Sequence, residues 1–128
     1  MSMILYVEDE PDIAELVERK LIRLGYTVRL ARNGAEAFRV VGAESPALIL
    51  LDIGLGLSGP DGWEIQRLIK ANPATAAIPV VALTAQSPTD EDRNRALAAG
   101  FAGHLPKPID TPALKAVLAT FAPLRDAT

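Results

Sequence analysis

The run Ala47-Leu48-Ile49-Leu50-Leu51-Asp52 is apolar at every position until its last residue. A strand with one wet face alternates apolar and polar residues. An unbroken apolar run of this length predicts a strand covered on both faces, over 47–51, with the acid of Asp52 at its carboxyl end. Working outward, Met3–Val7 and 79–83 read the same way, the latter closing on Thr84, and Thr27–Ala31 and 101–105 read as shorter strands. Between them lie amphipathic stretches with helix punctuation. Pro11 opens the first helix, Ile13, Leu16, Val17, Leu21 and Leu24 form its apolar stripe, and Gly25 ends it. Asn33 with Glu36 caps a second helix running to about Ala43. Asp61 with Glu64 caps a third, whose inward residues are Ile65, Leu68 and Ile69. Ser87-Pro88 starts a fourth that Gly100 terminates, and Thr111-Pro112 starts a fifth, with Leu114, Val117, Leu118 and Phe121 facing inward.

Five β/α units in strict alternation imply a doubly wound parallel sheet with right-handed crossovers and helices on both faces. The flavodoxin-like order 2-1-3-4-5 is the natural one for five strands, with its switch point between the first and third. In that order the ends of strands 1, 3, 4 and 5 are neighbours. Glu8-Asp9-Glu10, Asp52, Thr84 and Lys107 therefore converge on one edge of the sheet. Carboxylates from two adjacent strands repel one another, and a hard divalent cation such as Mg²⁺ resolves the conflict through oxygen ligands. Asp9 and Asp52 suit that role, together with a backbone carbonyl from the loop after Asp52. The hydroxyl of Thr84 and the ammonium of Lys107 suit the free oxygens of a phosphoryl group, and a carboxylate can serve as its acceptor. Taken singly these residues are bland. The acidic triplet alone would be a solvated helix start, Thr84 a β-former and Lys107 a surface lysine. Their weight comes from the set.

The chain of 128 residues suits one domain across 1–128. Its 49% hydrophobic content supports a full core. It has no cysteine, so disulfides and thiolate chemistry are excluded. The net charge of −3 and the lack of a basic cluster argue against direct nucleic-acid binding. No apolar stretch approaches the roughly 18 residues of a membrane helix, and no signal peptide is read at the start.

The ordered segments resemble one family. Residues 4–11, Ile-Leu-Tyr-Val-Glu-Asp-Glu-Pro, are similar to the first strand and acidic pair of response-regulator receiver domains (the CheY-like superfamily). Leu48-Ile49-Leu50-Leu51-Asp52-Ile53 with the later Asp61-Gly62 resembles the phospho-acceptor segment. Residues 79–85 resemble the fourth strand with its hydroxyl, and Lys107-Pro108 the family's Lys-Pro, whose peptide bond is usually cis. The likeness runs from about Met3 to Phe121. It implies a cytoplasmic switch of a two-component or phosphorelay system that is not a substrate-turnover enzyme. In it Asp52 takes a phosphoryl group from a sensor histidine kinase or histidine phosphotransfer protein. The resemblance further implies Mg²⁺ (or Mn²⁺) held by Asp9, Asp52 and the carbonyl of Gly54, with Glu8 acting through water. Thr84, the backbone N–H of Ala85 and Lys107 would hold the phosphoryl oxygens, with Thr84 and His104 as switch residues. A downstream effector protein would read the face made by the fourth helix, fifth strand and fifth helix, which could also support a weak dimer of an otherwise monomeric chain. Because the chain ends soon after the fifth helix, a receiver standing alone is expected.

Three features depart from the family pattern. Asp52 and Asp61 stand nine positions apart, a longer interval than usual, and Gly56 replaces the customary proline. Position 104 is His rather than Tyr or Phe, and Gly54 brings no side chain to the phosphoryl site. The longer loop leaves a second reading, a receiver-like interaction module that is never phosphorylated. A flavin carrier on the same fold is disfavoured, because Glu8-Asp9-Glu10 would repel a bare phosphate. Trp63 is expected to pack helix 3.

Overall fold

The computed structural model describes residues 3–54, 61–84 and 89–124. It contains β1 (Met3–Val7), α1 (Pro11–Arg23), β2 (Thr27–Ala31), α2 (Gly34–Ala43), β3 (Leu48–Asp52), α3 (Gly62–Ala71), β4 (Val80–Thr84), α4 (Asp90–Ala98), β5 (Gly103–Pro106) and α5 (Thr111–Phe121). The strands form one parallel sheet in the order β2-β1-β3-β4-β5. Side chains alternate along each strand, so the sheet feeds two cores. Ile4, Tyr6, Leu48, Leu50, Val81 and Leu83 pack with α1 and α5 through Val17, Leu21, Leu114 and Leu118. Leu5, Val7, Ile49, Leu51, Val80 and Ala82 pack with α2, α3 and α4 through Ala37, Ile65, Ile69 and Ala96. Every residue of β3 and β4 is buried, which is why both read as unbroken apolar runs.

Helix ends follow the capping chemistry. Asn33 Oδ1 accepts from Glu36 N at 2.9 Å and Asp61 Oδ1 from Glu64 N at 2.9 Å, as the sequence predicts. The expected fourth-helix start, Ser87-Pro88, lies outside the described residues. The helical run begins at Asp90, because Thr89 and Asp92 form a reciprocal capping box there. α5 starts at Thr111-Pro112 as expected, capped by Asp110, whose carboxylate accepts from Ala113 N at 2.7 Å. Gly25 and Gly100 adopt φ of +99° and +86°, the left-handed geometry that ends α1 and α4.

The buried stripes also shift. Ile13 and Leu16 are exposed, Leu16 by 57%, and the inward face of α1 is Ala14, Val17 and Leu21. In α3 Leu68 is exposed, and fully buried Gln66 takes an inward place instead, donating from Nε2 to the Ala99 carbonyl at 3.2 Å. The last strand is Gly103–Pro106 rather than 101–105. Pairing with β4 sets its register, and Phe101 goes into the α3/α4 core.

The start of α3 is pressed against the end of β3. A Cβ at Gly62 would stand 2.7 Å from the Asp52 carbonyl oxygen and still closer to the Ile53 Cα. Both obstacles are backbone, which cannot rotate away. Gly62→Ala is therefore expected to lower unfolding stability by about 1–3 kcal/mol, read from urea midpoints. An unchanged midpoint would mean that the contact has slack.

Candidate functional site

Asp52 is the last residue of β3, and the strand ladder decides where its carboxylate sits. Ile53 N donates to the Leu83 carbonyl at 3.2 Å, holding the chain just past Asp52 against β4. Asp52 Oδ1 accepts from Gly54 N at 2.9 Å and Oδ2 from Lys107 Nζ at 2.8 Å. Lys107 is placed from the other side. Its backbone N–H donates to the Thr84 carbonyl at 2.9 Å, one step beyond the β4–β5 ladder, and the Lys107–Pro108 peptide is cis. Glu8 follows β1 and is anchored by its N–H on the Ala31 carbonyl at 2.9 Å. Its Oε1 lies 3.2 Å from Lys107 Nζ and accepts from the Tyr6 hydroxyl at 3.1 Å.

Carboxylate oxygens of Glu8, Asp9 and Asp52 lie within 4.8 Å of one another. Glu8 and Asp52 are buried, at 2% and 5% exposure, whereas Asp9 sits at the exposed rim. Asp9, Asp52, Gly54, Thr84 and Lys107 line a common cleft of about 540 Å³. A larger groove of about 630 Å³ between α2 and α3 is lined by apolar side chains, Asn72 and Thr75, with no ionisable group. The chemistry therefore belongs to the smaller cleft. Thr84 is buried and donates from its hydroxyl to the Leu105 carbonyl at 3.4 Å. Ala85 lies outside the described residues, as does most of the loop from Asp52 to Asp61. His104 is exposed on β5, opposite Ala82 in register, and does not line the cleft.

Burial, then the adjacent Asp52 carboxyl, pushes Glu8 up to about 7, against the pull of Lys107. Burial also works against the Lys107 charge, but Asp52 and Glu8 outweigh it and hold its ammonium above the ordinary value. Burial and the Glu8 charge raise the Tyr6 phenol. Glu8 and Asp52 thus share the Lys107 ammonium, with a carboxylate oxygen of Asp9 close by. That excess of hard oxygen donors, two of them buried, fits a Mg²⁺-sized divalent cation.

Two cleft residues, and one core residue beneath the site, escape a reading by motif. Trp63 packs edge-on to Phe101 at 5.6 Å, as a packing residue should, yet it also lines the cleft, and the Arg95 guanidinium lies 3.9 Å above its ring. Asp92 caps α4 and lines the cleft as well. Tyr6 looks like an ordinary core residue. The one signal for it was its position two residues before Glu8, on the same face of β1.

A Glu8 value above the ordinary carboxyl value of 4.5 means that folding takes up a proton. The resulting stability is complete at low pH. In metal-free protein it should be lost as pH rises from about 4.5 to about 7. Urea midpoints across this window should fall in the wild type and stay flatter in Glu8→Gln. Equal slopes would assign the dependence to another group.

The geometry agrees with independent comparisons. The family model of the response regulator receiver domain matches residues 4–119. An uncharacterized 14.6 kDa protein of Leptolyngbya boryana is 36% identical over 107 residues, covering 84% of this chain and 79% of that protein. The response regulator PleD of Caulobacter vibrioides is 37% identical over 109 residues, covering 85% of this chain but 23% of PleD. The chain likewise spans half or less of several other relatives. Among solved structures, the receiver domain of the sensor histidine kinase PA1611 from Pseudomonas aeruginosa, with magnesium coordinated in its active-site cleft, superimposes with a TM-score of 0.83. It is 32% identical, and the match covers 94% of this chain and 96% of that one. With the sheet order, the acidic cleft and the family match in agreement, this chain belongs to the response regulator receiver domains of two-component signalling.

Proposed function

We propose that Asp52 is the phospho-acceptor of this receiver, loaded from a phosphohistidine on a sensor histidine kinase or histidine phosphotransfer protein. The observation that carries this reading is the Asp52 carboxylate at a strand end, with Lys107 Nζ at 2.8 Å and two further carboxylates beside it. Asp9, Asp52 and the Gly54 carbonyl would hold Mg²⁺ or Mn²⁺, with Glu8 acting through water. The bound ion would offset the charge on the phosphoryl oxygens. An Asp52 carboxylate oxygen bonds to phosphorus as the donor's N–P bond breaks, and the imidazole leaves. Lys107 turns from the carboxylates to the phosphoryl oxygens, and the Ala85 N–H supports them. The Thr84 hydroxyl exchanges the Leu105 carbonyl for a phosphoryl oxygen. That exchange alters the face of α4, β5 and α5, on which His104 is exposed, for a downstream effector protein. On this reading the chain is a cytoplasmic signalling module rather than a substrate-turnover enzyme. The magnesium in the PA1611 receiver supports the metal assignment by similarity.

Incubation with acetyl phosphate and Mg²⁺ should yield a single phosphoryl adduct by intact mass, absent in Asp52→Asn and without divalent ion. No adduct, together with no amide-shift response to beryllofluoride, would sink the switch and favour the unphosphorylated interaction module. Thr84→Ala should still form the adduct but lose the amide-shift response of His104 and Leu105. A wild-type response in that variant would mean that β5 is moved by some other contact.

A further inference from the structure

Tyr6 is wholly buried in the core layer that receives α1 and α5. A Phe or Leu would fill that volume without a polar atom to satisfy, whereas a buried phenol needs a partner. Tyr6 finds it at the strand end. Residues two apart share a face of a strand, and the length of the ring carries the hydroxyl to Glu8 Oε1 at 3.1 Å. The same oxygen faces Lys107 Nζ at 3.2 Å. Oε1 therefore has two donors. Oε2 accepts a long bond from the Glu10 N–H, at 3.4 Å.

We propose that Tyr6 is a positioning residue for the divalent cation: its hydroxyl fixes the Glu8 carboxyl so that Oε2 is the oxygen offered to the hydrated ion. This rests on the metal site proposed above and assigns part of its geometry to a residue beneath it. Of the two donors on Oε1, Lys107 is mobile in the proposed reaction, since it turns to the phosphoryl group. Tyr6 is set in the core and does not leave. Glu8 therefore keeps one orientation in both states. Without the hydroxyl, the carboxyl is free to rotate and to meet Lys107 with either oxygen, which takes Oε2 from the ion.

The test is a Mn²⁺ titration of the full chain, with free Mn²⁺ read from its EPR signal, in wild type, Tyr6→Phe, Glu8→Gln and the double variant. Tyr6→Phe keeps the ring and its packing. We expect its Mn²⁺ Kd to rise about 10-fold, the lower end for losing a partner that orients a metal ligand. In the Glu8→Gln background the same change should have no further effect, because the hydroxyl acts through Glu8. An unchanged Kd in Tyr6→Phe, or an equal loss in both backgrounds, would overturn the proposal. A wild type that leaves all Mn²⁺ free would instead refute the metal site itself, and the proposal would fall with it.

Discussion

Lys107 ties together three strands that are far apart in the chain. Its ammonium reaches Asp52 at the end of β3 and Glu8 just past β1, while its backbone N–H continues the ladder from β4. Two buried carboxylates side by side would be costly in a low dielectric, and removing the Lys107 ammonium that both face would take away its compensation. The arrangement holds because the ammonium lowers that cost without eliminating it. Glu8 remains pushed up to about 7 even with Lys107 beside it. A buried acidic pair of this kind suits a second cation, and a cation there is what the proposed phosphoryl chemistry at Asp52 would need.

Burial explains how such a site can be rigid at a sheet edge. The central strands are apolar on both faces, and their two cores clamp them from opposite sides. The strand ends inherit that rigidity, so carboxylates one residue past the core are fixed by backbone bonds. α3 adds a third constraint, since Gly62 lies against the Asp52 carbonyl and brings Trp63 to the cleft wall. Trp63 then meets Arg95 and Phe101, so the cleft wall and α4 are in direct contact.

The sheet order and the convergence of Glu8, Asp9, Asp52, Thr84 and Lys107 were legible in the sequence, because unbroken apolar strands and their closing residues carry strong patterns. The rotation of α1 and α3 was not. Ala14 and Gln66 look neutral in a periodicity scan, and only tertiary packing decides that they face inward while Ile13, Leu16 and Leu68 do not. The fourth-helix start read at Ser87-Pro88 lies outside the described residues, and within them α4 begins at Asp90, after the Thr89 cap. Thr89 and Asp92 bond reciprocally there. Tyr6 was hidden by its identity as a core residue, since its ring belongs to the core and only its hydroxyl to the site.

β5 is joined to the β4 strand end by two bonds of unequal length. The backbone bond from Lys107 N to the Thr84 carbonyl, at 2.9 Å, lies at the ordinary optimum. The side-chain bond from the Thr84 hydroxyl to the Leu105 carbonyl, at 3.4 Å, is well beyond the optimum for a hydroxyl donor. A phosphoryl oxygen on Asp52 would compete with that second bond, and a charged acceptor makes the shorter, stronger hydrogen bond. The exchange costs little on the side that is given up. It leaves the backbone bond, and with it the main chain at Lys107, in place, while the side-chain ammonium turns to the phosphoryl oxygens. The asymmetry suits the proposed switch, because the main chain that carries Lys107 stays fixed to β4 while the Thr84 hydroxyl is free to change partner.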